Sequence, residues 1–293
     1  MRSVRRPTRA DVDAAAERLR PYLRPTPLVA GLKLETLQPT GSFKLRGALN
    51  ALLQVDGEPV VTASAGNFGI ALAWSAARLG VAATVVVAET ASPAKIEALR
   101  RYPVDLVVHG RDYDEAEAHG LSLPGRYVSP YNDTEVIAGA GTIALELPAA
   151  ETIVVPIGGG GLAAGIGLAT DARVVGVVPA AFPAMRAALD AGSLVEIDGE
   201  PTIADALHGN IEPGSVTFEL VRDHVDEVVE VTEQQIEDAM RHLAATHGLV
   251  TEGAGAAAVA AQRAHGIGGV AIVSGRNIDR GLFAEVLDRG AGR

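Results

Sequence analysis

Cysteine is absent from all 293 residues. Its absence excludes disulfide scaffolds, thiolate metal sites and cysteine nucleophiles together. It also fits a reducing cytoplasm, where we expect the protein to work. Basic residues are in deficit: 25 Lys and Arg stand against 36 Asp and Glu, a net charge of −11. Without a basic excess, neither a nucleic acid nor an anionic membrane is an expected partner. Aromatic residues make up only 4%, and the single tryptophan, Trp74, reads as core. No secretory leader is expected, because Asp11, Asp13 and Glu17 occupy the region where an apolar run is needed. The uncharged stretch from Thr152 to Thr170 has the length of a membrane span. It carries Pro156 and six glycines, a composition of strand, turn and helix. Several chemical motifs are missing as well. There is no Gly-Lys-Ser/Thr for a nucleotide P-loop and no Gly-x-Ser-x-Gly elbow for a hydrolase serine. The seven histidines make no His-Glu-x-x-His or comparable cluster, so no metal site is expected. Lysine occurs only at Lys33, Lys44 and Lys95. The setting of each is therefore informative.

What is present alternates. Short β-branched runs (60–63, 82–88, 105–108, 152–156, 174–178, 228–231 and 270–273) predict strands. Between them, Ala-rich or amphipathic stretches (10–23, 69–79, 93–101, 162–169, 183–191, 233–247 and 255–264) predict helices. Apolar strands between helices mean parallel sheets covered on both faces. No linker or repeat divides the chain, so two α/β lobes woven together are expected. The acidic cluster from Asp112 to Glu117 reads as a solvated helix face.

Four turns carry chemistry. Strand 152–156 runs into Gly158-Gly159-Gly160-Gly161-Leu162 and a helix, which frees backbone N–H groups to converge on an anion at a positive dipole end. The pattern Gly-x-Gly-x-x-Ala is met there, but the next strand ends Val177-Val178-Pro179, with no carboxylate for a nucleotide ribose. A phosphate monoester suits the loop better. Lys44 follows a Pro/Gly turn, Gln38-Pro39-Thr40-Gly41-Ser42-Phe43, where desolvation can turn it into a Schiff-base amine. The turn Ser64-Ala65-Gly66-Asn67 offers amides for a carboxylate, and Asn67 adds a donor and an acceptor. Ser274 closes a strand where ligands of open α/β sheets bind. Taken singly, each has a plainer reading as an ordinary turn or surface residue.

Together, a phosphate cradle, an imine-forming lysine, a carboxylate turn and a strand-end hydroxyl are what pyridoxal 5′-phosphate and an amino acid require. The sequence resembles the serine/threonine dehydratases of the β-family, fold type II, of pyridoxal-phosphate enzymes. The resemblance rests on the run from Leu37 to Ala48, the Ala63–Asn67 turn, the tetraglycine loop and Ser274-Gly275-Arg276-Asn277. Weaker matches are Ile137–Thr142 and Glu252–Gly255. It implies two intertwined three-layer α/β lobes with mostly parallel sheets, as in the tryptophan synthase β-subunit. A large cofactor domain would comprise residues 1–47 and 140–293, and a small domain 48–139. Lys44 would form the imine and act as the catalytic base, with Phe43 against the pyridine ring. Asn67 would bond the ring hydroxyl, Gly158 to Leu162 would hold the phosphate, and Ser274 would face the ring nitrogen. Ser64, Ala65, Gly66 and Asn67 would receive the substrate carboxylate, and a homodimer is expected.

The resemblance also implies a reaction: α,β-elimination of L-threonine or L-serine to 2-oxobutanoate or pyruvate plus ammonia. Two rivals remain. One is β-replacement or racemisation on the same cofactor, the other a non-catalytic protein that retains cofactor or amino acid. Four departures stand out. Phe68 replaces a histidine common in dehydratases, which removes a polar contact near the substrate, and Ala140 replaces a glutamine. Val178 stands where cation-dependent relatives carry Glu, so no divalent metal is expected. Ala65 replaces the serine that supplies the second proton in serine racemases. The short stretch after Asn277 also leads us to expect no C-terminal effector domain.

Overall fold

The computed structural model describes residues 4–289. Within these residues ten strands form two sheets: β1 (Leu28–Val29), β2 (Leu32–Leu34), β3 (Val60–Ala63), β4 (Ala83–Val87), β5 (Asp105–Val108), β6 (Arg126–Tyr127), β7 (Thr152–Pro156), β8 (Arg173–Pro179), β9 (Glu227–Val231) and β10 (Val270–Val273). The larger sheet has the order β1-β2-β10-β7-β8-β9 and the smaller β5-β4-β3-β6. All pairings are parallel except the β1–β2 hairpin. The larger sheet thus recruits the first two strands of the chain beside the last. That arrangement weaves the lobes together.

Side chains alternate along the central strands and so feed two cores. Ile153 and Val155 of β7 face one apolar cluster with Val174, Val178 and Ile272. Val154, Val175, Val177, Ala271 and Val273 face the other. Among the described residues twelve α-helices cover the sheets: α1 (Arg9–Leu19), α2 (Lys44–Leu52), α3 (Asn67–Leu79), α4 (Pro93–Arg100), α5 (Tyr113–Ser122), α6 (Thr134–Leu145), α7 (Gly161–Leu168), α8 (Ala184–Ala191), α9 (Val216–His224), α10 (Glu233–His247), α11 (Gly253–His265) and α12 (Arg280–Asp288). Small residues let some of them approach closely. A Cβ at Gly47 would lie 2.7 Å from the Val136 carbonyl oxygen, and one at Gly165 would lie 2.3 Å from that of Ile137. The helices α2, α6 and α7 therefore stack backbone to backbone between the two sheets. Trp74 is half-buried against the core of the small sheet. Among the described residues no helix is long and apolar enough to cross a membrane.

One expectation needs correction. The first helix stops at Leu19 and does not run on to residue 23; Tyr22 and Leu23 close turns back onto the Leu19 carbonyl. The acidic cluster is exposed from Asp112 to Asp114, as expected of a solvated face, and it also has local roles. Asp112 caps α5 by accepting the Glu115 N–H at 2.9 Å, and Asp114 and Glu117 border a cavity between the lobes.

Candidate active site

That cavity measures about 1030 Å³ and lies where the carboxyl ends of both sheets meet. It is lined by Lys44, by Ser64 to Phe68, and by Gly158, Gly159, Glu252 and Asn277, among others. Lys44 opens α2 directly after the Pro39–Phe43 turn, which Gly41 permits with its φ of +79°. Its amine donates to the Pro130 carbonyl at 2.7 Å and stands 5.1 Å from the centre of the Phe43 ring and 5.8 Å from that of Phe68. Burial beside these rings pulls the Lys44 pKa down to about 8, against an opposing pull from Glu252. A neutral amine is thereby available near physiological pH.

Two sets of backbone donors flank it. Gly160, at φ +89°, turns the chain from β7 into α7. Among the described residues, the N–H groups of residues 158–163 have no hydrogen-bond acceptor, so they stand unspent in the turn and the first residues of a helix. The packed side of the turn has no room for side chains: a Cβ at Gly159 would lie 2.4 Å from the Tyr131 ring, and one at Gly160 2.8 Å from Met185. The second set belongs to the turn after β3. Gly66 caps α3 without a side-chain bond, and the N–H groups of Ala65, Asn67 and Phe68 have no acceptor among the described residues. Ser64 accepts the Gly66 N–H at 3.3 Å, which folds its hydroxyl back along the loop.

The structure therefore brings Lys44, Ser64, Ala65, Gly66, Asn67, Gly158 and Gly159 to one cavity. Gly160, Gly161 and Leu162 continue the glycine turn into the wall. Phe43 donates its N–H to the Ser274 carbonyl at 3.0 Å, and Ser274 is buried with its hydroxyl donating to the Ala254 carbonyl at 3.3 Å. Phe68 is a core residue of the small lobe with one edge at the cavity. Glu252 and Asn277 lie in two of the motifs, yet sequence reasoning expects no role for either. Their bonds to Asn67 join residues 185 and 210 positions apart. Among the described residues no group of three His, Asp or Glu is placed to hold a metal ion.

The family profile described as pyridoxal-phosphate dependent enzyme matches residues 19–274. The chain belongs to that family. Among curated members, the L-threonine ammonia-lyase of Thermotoga maritima is 39% identical over 280 residues, 88% of this chain and 70% of that protein. The catabolic L-threonine dehydratase of Staphylococcus aureus is 35% identical over 96% of this chain and 92% of its own length. Two examples come from the solved structures that share the fold. The T.th. threonine deaminase superposes with a TM-score of 0.87 at 32% identity, covering 93% of this chain and 99% of that one. Maize serine racemase reaches 0.88 at 28% identity, covering 97% and 98%. The residues present fit the family's cofactor. A glycine turn of unspent N–H donors suits its phosphate, and a desolvated lysine suits its aldehyde.

Proposed function

We propose that this pyridoxal-phosphate-dependent enzyme is an ammonia-lyase. It converts L-threonine or L-serine to 2-oxobutanoate or pyruvate plus ammonia. The observation that carries the reading is the low-pKa amine of Lys44 between two arrays of unspent backbone donors. When bound, the cofactor supplies an electron sink that makes the substrate α-proton acidic. The protein's own residues do the rest. Residues 158–163 hold the phosphate, and Phe43, Asn67 and Ser274 set the ring. The N–H groups of Ala65, Asn67 and Phe68 orient the substrate carboxylate, and Lys44 holds the removed proton. We assign this work to a large domain (1–47 and 140–293) and a small one (48–139). We also place the enzyme in the cytoplasm as a homodimer. Leu28 and Val29, exposed on the edge strand β1, supply apolar surface for pairing, and sedimentation velocity measures the mass. The direct test supplies the protein with pyridoxal phosphate and L-threonine. Stoichiometric ammonia and 2-oxobutanoate are expected, and cofactor binding without either product would leave only a binding protein.

The likeness to a serine racemase raises a second outcome, which the turn after β3 argues against. Racemisation needs a proton donor on the face of the cofactor opposite Lys44, within hydrogen-bond reach of the α-carbon. Ala65 has none and Phe68 has none; Ser64, which accepts from the Gly66 N–H and keeps its own proton, stands one residue before the position of the racemase serine. L-Serine is therefore expected to give pyruvate with only traces of D-serine, and Ala65→Ser should raise the D-serine share. Chiral chromatography of one reaction decides the matter, since D-serine equal to pyruvate in the parent would exclude this reading.

Charge around the cavity narrows the substrate further. Asp114, Glu117, Asp198, Asp205 and Glu212 face it, while Lys95 is already paired with Asp205 at 2.9 Å. A β-carboxylate on the substrate would meet these carboxylates. Among the described lining residues no lysine or arginine besides Lys44 and the paired Lys95 could answer it, a like-charge cost of several kcal/mol. We expect kcat/KM for 3-hydroxyaspartate to lie about 100-fold or more below that for L-threonine. Equal values, measured by 2-oxo acid release, would refute the charge argument.

A further inference from the structure

Four groups join end to end across the cavity floor: the Thr40 carbonyl, Asn277, Asn67 and Glu252. Donor and acceptor roles along this line follow from its first member. A carbonyl only accepts, so the Asn277 atom 2.8 Å from Thr40 is its NH2 group. The same nitrogen lies 2.6 Å from Asn67 and donates its second hydrogen there, which makes the facing atom of Asn67 its oxygen. The amide of Asn67 is thereby oriented, and its nitrogen meets a carboxyl oxygen of Glu252 at 2.7 Å. One hydrogen of that nitrogen remains unspent, on a residue that lines the cavity with Lys44. Both ends of the line rest on bare backbone. A Cβ at Gly41 would lie 2.4 Å from the side-chain Oδ1 of Asn277, and one at Gly275 2.0 Å from Glu252 Oε1. The glycines of the Pro-Thr-Gly-Ser and Ser-Gly-Arg-Asn motifs thus make room for the two outer members.

We propose that Asn277 and Glu252 are positioning residues that lock the Asn67 amide so that its remaining N–H is presented to the cofactor's ring oxygen. The inference rests on the proposed function for its ligand. Glu252 is buried, and its other oxygen has no hydrogen-bond partner among the described residues. The charged groups acting on it are Asp205 from the loop before α9, Lys95 from α4 and Lys44 from α2. Burial first, then Asp205, pushes its pKa up to about 8, while the Asn67 bond and the two lysines pull the other way. Burial thus favours the protonated acid, and in the structure Glu252 accepts from Asn67 through one oxygen. A glutamine amide has the same shape and can accept in the same way; an alanine cannot.

The test follows the affinity of the apoprotein for pyridoxal 5′-phosphate by its visible absorbance, from pH 6.5 to 9.5. At pH 7, Glu252→Ala and Asn277→Leu should each weaken binding about tenfold or more, the range lost with one buried hydrogen bond to a needed group. Glu252→Gln should recover most of the affinity lost in the alanine variant. The parent's affinity and band position should change as pH passes about 8, and the glutamine variant should lose the part of that change due to Glu252. Changes due to Lys44 should persist in both. Thermal unfolding of each variant reports folding separately. A glutamine variant as weak as the alanine one would overturn the proposal. So would alanine and leucine variants that bind like the parent. A parent that takes up no pyridoxal phosphate would instead overturn the proposed function, which keeps the two failures distinct.

Discussion

Replacing Lys44 with alanine is expected to lower 2-oxo acid formation from L-threonine by about four orders of magnitude or more, the scale of losing a proton-transfer group that also acts as nucleophile. The reason lies in the state of its amine. With a pKa of about 8, roughly a quarter of it is neutral at pH 7.5, against about one part in a thousand for an ordinary lysine. Burial produces that shift, and the Phe43 and Phe68 rings exclude water on two sides. The other lysines cannot substitute. Lys33 is buried in an ion pair with Glu146, and Lys95 is paired with Asp205 at the cavity mouth. Borohydride reduction of the loaded enzyme followed by peptide mapping should place the pyridoxyl group on Lys44. A label on Lys95, or an alanine variant within tenfold of the parent, would refute the assignment. Far-UV circular dichroism of the variant should be unchanged, because Lys44 makes its one hydrogen bond to a carbonyl at the cavity.

Local signals made much of this legible. The tetraglycine turn could be read because strand, glycines and helix follow one another within about ten residues, and the structure returns β7 and α7 at those positions. Strands β3, β5, β7 and β10 and helix α10 match their expected bounds, since each has a clear apolar period and flanking turn residues. The β1–β2 hairpin left no such trace. Its turn places Ala30 at φ +51° and Gly31 at +78°, and alanine in place of the usual Asn or Asp hides the signal. The two-residue strand β6 exists only because β3 offers it an edge. Most of the cavity's polar groups were hidden for another reason. Glu252, Asn277 and Asn67 become neighbours through the topology, and nothing in the spacing of any one motif announces the others.

The same holds for a buried ionic cluster behind Lys44, and it supports the second large prediction. Arg46, two residues along α2, donates to both oxygens of Glu35 at 2.7 and 2.9 Å. It also donates to both oxygens of Glu146 at 2.6 and 3.0 Å. Lys33 completes the group by bonding Glu146 and the Thr26 carbonyl. Two cations and two carboxylates balance, and they tie β2 and the turn after it to α2 and α6. Arg46 and Glu35 are buried. Removing one member leaves charges stranded, which costs about 3–5 kcal/mol, whereas a fully apolar replacement can be neutral. For a chain of this size Arg46→Met should therefore lower Tm by about 6–10 °C at pH 7. It should also loosen the first turn of α2 and with it Lys44.

The pH dependence gives the prediction its sign. Burial pushes the Glu35 carboxyl upward, but the Arg46 charge and hydrogen bonds outweigh it and hold the pKa below the ordinary carboxylate value. A depressed carboxylate stabilises the fold above its unfolded pKa of about 4.5, and that contribution is lost as pH falls through the lower folded value. The Tm gap between parent and Arg46→Met should accordingly be full at pH 6 to 7 and shrink below pH 4. Calorimetry at both ends measures it. A variant within about 2 °C of the parent at pH 7 would mean that water or a rearranged Lys33 satisfies both carboxylates. The cluster would then be dispensable for holding Lys44 in place.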